Sequence, residues 1–251
     1  MSSSSKFTRT GVRDYEKRRY RGFDQRIVHA REMRLIRKML ALAEAGCASR
    51  ADRVGQPGRR GRWLALDLPC GYGRFTPMLQ ERGFDVVSAD LSFEMARRAA
   101  ENAAELTKAS GGRTPRDKSG PGTWFPALAA NADCLPFQAG VFDLVFSIRF
   151  FHHVHAPEDR AAILREFHRA SSGYVVASFY RANGLHAVQR RLRRFFGKSR
   201  TNIKMVGAGV FEKAAEEAGF EVVRVLPLFR GLHAYHLVLL KRGQVFDLSP
   251  L

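Results

Sequence analysis

Asp67, Gly71 and Gly73 close an apolar run, Trp63 to Leu66, and open a stretch from Phe75 to Arg82 that reads as helix. A strand, a tight glycine turn and a helix in that order suit a nucleotide ligand. The backbone must reverse sharply and let a ligand approach with no Cβ in the way. The first turn of the helix then offers unpaired N–H groups. A second acid, Asp90, follows 23 residues after Asp67 at the end of another apolar run, Phe84 to Ala89. A carboxylate there can accept from both hydroxyls of a ribose at once. A third acid, Asp133, lies in the polar turn Asn131 to Phe137 and can accept from an exocyclic amine. A fourth segment, Phe142 to Ser147, leads into Arg149, His152 and His153. Imidazoles titrate near neutral pH and can act as general bases, and a guanidinium can grip an anion with its planar fork.

The elements that must position these residues alternate along the chain. Strands are predicted at Trp63–Leu66, Phe84–Ala89, Trp124–Ala130, Val141–Ser147, Tyr174–Phe179, Glu221–Leu226 and Tyr235–Leu240. Helices are predicted at Phe75–Arg82, Phe93–Lys108 with Ser92 as its cap, Pro157–Ser171, and Val210–Ala218, the last stopped by Gly219. The Val141–Ser147 strand is apolar apart from Asp143, as a strand buried on both faces should be. This order implies a mostly parallel seven-stranded sheet of Rossmann-like type, with helices on both faces and an antiparallel edge strand. Asp14 to Ala45 reads as a further helix with an apolar face, and Gly46 with Ser49–Gly61 reads as a linker. Ser110–Gly122 reads as a surface loop. Residues 1–62 are therefore expected to form a basic helical appendage or lid. Residues 63–251 form the main domain, with a basic insertion at about 181–209.

The chain has 251 residues and a formal net charge of +18. The charge is unevenly placed. Residues 1–62 hold 17 Lys+Arg against 6 Asp+Glu, and residues 181–204 hold 8 Lys+Arg and no acid, so the remainder is close to neutral. Such blocks attract anionic surfaces. Within the second block, Val188, Leu192, Phe195 and Phe196 share one helical face among arginines. That stripe fits an acidic membrane surface, a substrate cover or simple docking on the domain. No run of 18 apolar residues occurs, and the polar N-terminus lacks a secretory signal. Cys47, Cys70 and Cys134 have no metal or disulfide spacing, which favours a reducing cytoplasm. Cys70 and Cys134 read as small apolar fillers rather than nucleophiles. No metal site is expected.

Four pieces in register resemble the class I S-adenosylmethionine-dependent methyltransferases, nearest to the small-molecule ubiquinone/menaquinone ("type 11") group. They are Asp67-Leu-Pro69-Cys-Gly71-Tyr-Gly73-Arg74, Ala89-Asp90-Leu91-Ser92-x-x-Met95, Ala132-Asp133-Cys134-Leu-Pro-Phe137, and the Phe142-Asp143 strand ending in His152-His153-Val154. The resemblance implies S-adenosylmethionine as cofactor. It sets Gly71 and Gly73 against the methionine part, Asp90 on the ribose and Met95 near the adenine. Asp133 then meets the N6 amine, with the Ala132–Cys134 backbone alongside. Asp67, Pro69, Leu91 and Ser147 complete the cofactor-contacting set, and His153, His152 and Arg149 are the catalytic candidates, with Tyr180 nearby. Pro69 replaces the usual first glycine of the motif and rigidifies the turn. A dinucleotide dehydrogenase is disfavoured because Thr76 stands where the third glycine of Gly-x-Gly-x-x-Gly would be.

The expected function is therefore methyl transfer to a small-molecule or lipid-linked, anionic acceptor, at oxygen or carbon. An RNA methyltransferase using the basic blocks is the second reading, although the Pro-Pro tetrapeptide of base-methylating enzymes is missing after Phe146. A non-catalytic cofactor-binding protein is the third. A monomeric or weakly dimeric cytoplasmic protein, with the inner membrane surface as a place of association, completes the expectation.

Overall fold

The computed structural model describes residues 23–49, 63–109, 127–182, 205–231 and 233–243. Its elements are α1 (Phe23–Ala48), β1 (Trp63–Asp67), α2 (Thr76–Glu81), β2 (Phe84–Asp90), α3 (Phe93–Ala109), β3 (Ala127–Ala129), β4 (Phe142–Ser147), α4 (Pro157–Ala170), β5 (Ser171–Tyr180), α5 (Val210–Glu217), β6 (Phe220–Pro227) and β7 (Tyr235–Arg242). All seven strands form one sheet in the order β3-β2-β1-β4-β5-β7-β6. The pairs from β3 through β5 are parallel. At the edge where an antiparallel strand is expected, β7 pairs antiparallel with both β5 and the outermost strand β6. Strand order reverses between β1 and β4. In an open parallel sheet the crevice for a ligand lies there, outside the carboxyl ends of the strands.

Local sequence explains the element ends. The Ser92 hydroxyl accepts from the Met95 N–H at 3.4 Å and caps α3. In α4, Pro157 takes the first helical turn, Glu158 and Asp159 sit near the positive end of the helix dipole, and Arg169 near the negative end. The helix stops at Ala170 and β5 starts at once. The sequence predicts helix through Ser171 and strand only from Tyr174, but the strand begins at Ser171, where the serine hydroxyls are absorbed locally. Ser172 Oγ donates to the Phe142 carbonyl at 2.9 Å, and Ser171 Oγ accepts from the Gly173 N–H at 3.1 Å. Asp143 is buried within β4, where Oδ2 accepts the Leu64 N–H at 2.8 Å.

Each face of the sheet carries a core. Val175 and Ala177 face Ile163, Leu164 and Phe167 of α4 and Phe211 of α5. Val176 and Leu239 lie in the other core, with Met78 and Leu79 of α2 and Ile36, Met39, Leu40 and Ala43 of α1. The period-two alternation of β5 thus feeds both cores. The helix α1 runs on to Ala48, through Gly46, which the sequence had suggested as the start of a linker. A Cβ on Gly46 would fall 1.9 Å from the Tyr174 hydroxyl, so the glycine lets α1 lie directly over β5. The segments 14–22, 50–62, 110–126 and 186–200, on which the N-terminal start of that helix, the linker, the loop and the basic stripe were read, lie outside the described residues. No helix of the described residues is long and apolar enough to cross a membrane.

Candidate functional site

The predicted residues gather at the carboxyl edge of β1 to β4. The Leu68 N–H donates to the Phe146 carbonyl at 2.9 Å, tying the glycine turn to β4. The Cys70 N–H donates to the Ala89 carbonyl at 2.8 Å, tying the same turn to β2. Asp90 joins three turns. Its Oδ2 accepts the Gly71 N–H at 3.0 Å, its Oδ1 accepts the Ser92 N–H at 2.9 Å, and its carbonyl accepts the Ala130 N–H at 2.9 Å. The turns at 68–73, 90–92 and 130–134 are thus knitted around one acid.

The two glycines do different work. Gly71 has φ +56°, and a Cβ there would meet nothing within 4 Å. Gly73 has φ +78°, and a Cβ there would lie 2.9 Å from the Ala99 Cα. Gly71 borders open space; Gly73 lets the turn pack on α3. Asn102 of α3 adds a hydrogen bond from Nδ2 to the Tyr72 carbonyl at 2.8 Å. Pro69 follows a cis peptide bond.

Asp67 is buried at the end of β1. Burial, with the Asp90 charge adding, pushes its pKa to about 8 against the pull of the Thr76 hydroxyl. It is therefore mostly protonated at neutral pH. Burial also raises Asp90, while the Ser92 and Gly71 N–H groups act in the opposite direction. The Cys70 thiol is raised by burial, so it stays neutral and is no nucleophile. Cys134 is exposed, so the reading as a packed filler holds only for Cys70.

Asp133 is exposed on its turn, with Ala132 buried beside it. The turn is held by a pair that the sequence reading missed. Glu166 Oε1 of α4 accepts the Leu135 N–H at 2.7 Å, while Arg169 donates to the carbonyls of Phe137 at 2.7 Å and Leu135 at 3.0 Å. Their i, i+3 spacing on α4 was the available signal. Met95 is buried, and Leu91 is 75% exposed at the start of the α3 turn.

Beyond β4, Ser147 is fully buried, and its hydroxyl has no hydrogen-bond partner among the described residues. Arg149 adopts φ +61°, a conformation that a non-glycine residue holds only when its surroundings enforce it. Its N–H donates to Ser178 Oγ at 2.6 Å, and its guanidinium makes two 2.8 Å bonds to Glu32 of α1. Glu32 also receives Arg74 at 3.0 Å. Burial alone would raise the Glu32 carboxyl, but Arg149 and Arg74 outweigh it and hold its pKa at about 2. Glu32 is the third residue that sequence reasoning missed. It lies in phase with Ile36, Met39, Leu40 and Ala43, and an acid on the apolar stripe of a helix was the signal.

The His152 and His153 rings lie 3.9 Å apart between centroids, and Tyr180 is 5.2 Å from His152. Partial desolvation, with His155 nearby, lowers the pKa of His153. At neutral pH that imidazole is unprotonated, the state a general base requires. Among the described residues no group of His, Cys, Asp and Glu could hold a metal ion.

The edge offers what an adenosyl cofactor needs. Asp90 keeps lone pairs beyond its two backbone donors, Gly71 borders open space, and Ser147 carries an unspent hydroxyl. Residues 66–177, from the end of β1 into β5, match the methyltransferase domain family. The magnesium protoporphyrin IX methyltransferase of Synechocystis PCC 6803, solved with bound SAH, is similar in fold. Its TM-score is 0.68 at 16% identity, over 95% of this chain and 97% of that one. A SAM-dependent methyltransferase from Methanosarcina mazei gives 0.56 at 19% identity, over 74% and 94%. The [4+2]-cyclase SpnF gives 0.52 at 13% identity, over 73% and 75%. No curated protein sequence matches the chain. At these identities the structural likeness speaks to the fold, and SpnF bears a different reaction in its name.

Proposed function

We propose that this chain, a class I S-adenosylmethionine-dependent methyltransferase, methylates an oxygen or carbon of a small, anionic or lipid-linked acceptor. The observation that carries the reading is Asp90, whose carboxylate and carbonyl knit three turns together at the carboxyl edge of the sheet, one strand from the switch point. When bound, the cofactor supplies an electrophilic methyl on a sulfonium, so the protein needs mainly to align an acceptor and exclude water.

In this reading Asp90 accepts from the ribose hydroxyls, the Asp133 turn meets the adenine amine, and Met95 packs against the ring. Asp67, Pro69, Gly71 and Gly73 shape the turn beside the methionine part, with Leu91, Ala132, Cys134 and Ser147 along the crevice. The acceptor enters over the ends of β4 and β5, where His152, His153 and Tyr180 stand. A hydroxyl acceptor gives its proton to the neutral His153 imidazole; a stabilised carbanion needs only positioning. Arg149 spends its fork on Glu32, so it orients the loop after β4 rather than gripping the acceptor itself. The solved structure of a geranyl diphosphate methyltransferase, similar in fold at a TM-score of 0.51 and 16% identity, gives an anionic small-molecule precedent by its name.

Transfer of labelled methyl to fractionated cell extract tests the reading. Label in the small-molecule or lipid fraction is the expected result. Label confined to RNA would replace it with the RNA methyltransferase reading, and no transfer despite cofactor binding would leave a non-catalytic binder.

A further inference from the structure

We propose that Glu32 is a positioning residue of the site: one carboxylate on α1 staples the glycine turn, through Arg74, to the loop after β4, through Arg149. The catalytic meaning of this staple rests on the methyltransferase reading above.

The geometry is specific. The Glu32 side chain has no solvent exposure, and Arg149 reaches it by Nε to Oε1 and Nη2 to Oε2, both at 2.8 Å. A two-point fork fixes orientation as well as distance. Arg74 Nη2 binds the same Oε2 at 3.0 Å and His29 Nδ1 at 2.8 Å. Arg74 also lies over the Phe75 ring, 4.5 Å from its centroid.

The two arginines come from different places. Arg74 directly follows Gly73, so holding it holds the end of the glycine turn. Arg149 is two residues beyond Ser147 and starts the loop that carries His152 and His153. Its left-handed backbone is kept by anchors at both ends of the residue, the Ser178 hydroxyl on its N–H and Glu32 on its guanidinium. Arg149 also lies over the Tyr235 ring at 5.8 Å. Through the two arginines α1 is thereby tied to both the glycine turn and the loop after β4. It sets the spacing between the side that would hold the cofactor and the side that would hold the acceptor.

A second ion pair on the same helix supplies the control. Glu44 binds Arg82 Nη1 at 2.9 and 3.0 Å, joining α1 to the end of α2 away from the carboxyl edge. The test is titration of SAH into wild type, Glu32→Gln, Arg74→Met and Glu44→Gln, with hydrogen exchange followed along each chain below its melting range. Glu32→Gln is expected to weaken SAH by about tenfold or more and to speed exchange in residues 70–74 and 148–153 selectively. Arg74→Met is expected to weaken SAH similarly and to loosen only 70–74, while Glu44→Gln behaves as wild type.

SAH affinity within about twofold of wild type in folded Glu32→Gln, or faster exchange spread evenly over its chain, would overturn the proposal and leave a plain stability role. If Glu32→Gln does not fold, Arg74→Met decides: unchanged SAH affinity in that variant overturns the proposal. If wild type binds no SAH, the methyltransferase reading falls. The exchange pattern alone then supports or overturns the staple.

Discussion

Gly73 and Gly71 stand two residues apart, both with positive φ, and they should respond differently to a methyl group. At Gly73 a Cβ would press on the α3 backbone, 2.9 Å from the Ala99 Cα, so Gly73→Ala adds a clash to left-handed strain. At Gly71 the Cβ would enter open space, so Gly71→Ala bears the strain alone, about 1–2 kcal/mol. Urea unfolding should therefore show a clearly larger loss for Gly73→Ala, with equal losses contradicting the packing role. Asp67 gives a pH signature. The folded chain keeps its carboxyl proton up to about pH 8, whereas the same group ordinarily titrates at 3.8. Between those values the folded state binds the extra proton, so the Asp67 contribution favours folding at low pH and is lost as pH rises. The stability difference between pH 5 and pH 8 should shrink in Asp67→Asn. An unchanged difference would mean that Asp67 is ionised throughout.

Among the elements, α1 shows most directly how helix propensity yields to packing. Alanine is the better helix former by about 1 kcal/mol, yet Gly46→Ala should destabilise the protein, because its Cβ would collide with the Tyr174 ring and hydroxyl. Thermal melts check this; a rise in melting temperature would contradict the close seat of α1 on β5. The same contact explains a limit of the sequence. The strands and helices that hold the site were legible because each has a local mark: Asp90 closing an apolar run, Ser92 as a cap, Pro157 opening a helix. Gly46 carried the mark of a breaker, and only tertiary contact reveals why it sits inside a helix. The early start of β5, three residues before the predicted Tyr174, has a related cause, since hydrogen bonds to β4 and within the strand hold Ser171 and Ser172 in the sheet. Glu32 and Arg149 were both visible as residues, but their union links positions 117 apart in the chain. No local pattern announces such a pair. Glu166 and Arg169 were nearer to legible, as neighbours on one helix turn, but the loop they hold lies about thirty residues upstream.

At the scale of the whole molecule, the charge and the crevice tell separate stories. The basic excess belongs to residues 1–62 and 181–204, while the rest of the chain, which holds the sheet and most of its turns, is nearly neutral. The groups placed around the crevice thus lie in a nearly neutral part of the chain, apart from the basic excess. If the turns at Gly71, Asp90 and Asp133 form a single crevice for an adenosyl ligand, titration calorimetry with SAH shows it most directly. Wild type should bind one SAH per chain, and Asp90→Ala should bind it at least about tenfold more weakly, the loss of one charge-assisted contact being worth about 1.5–3 kcal/mol. Absence of binding to wild type, or equal affinity in Asp90→Ala, would contradict such a crevice.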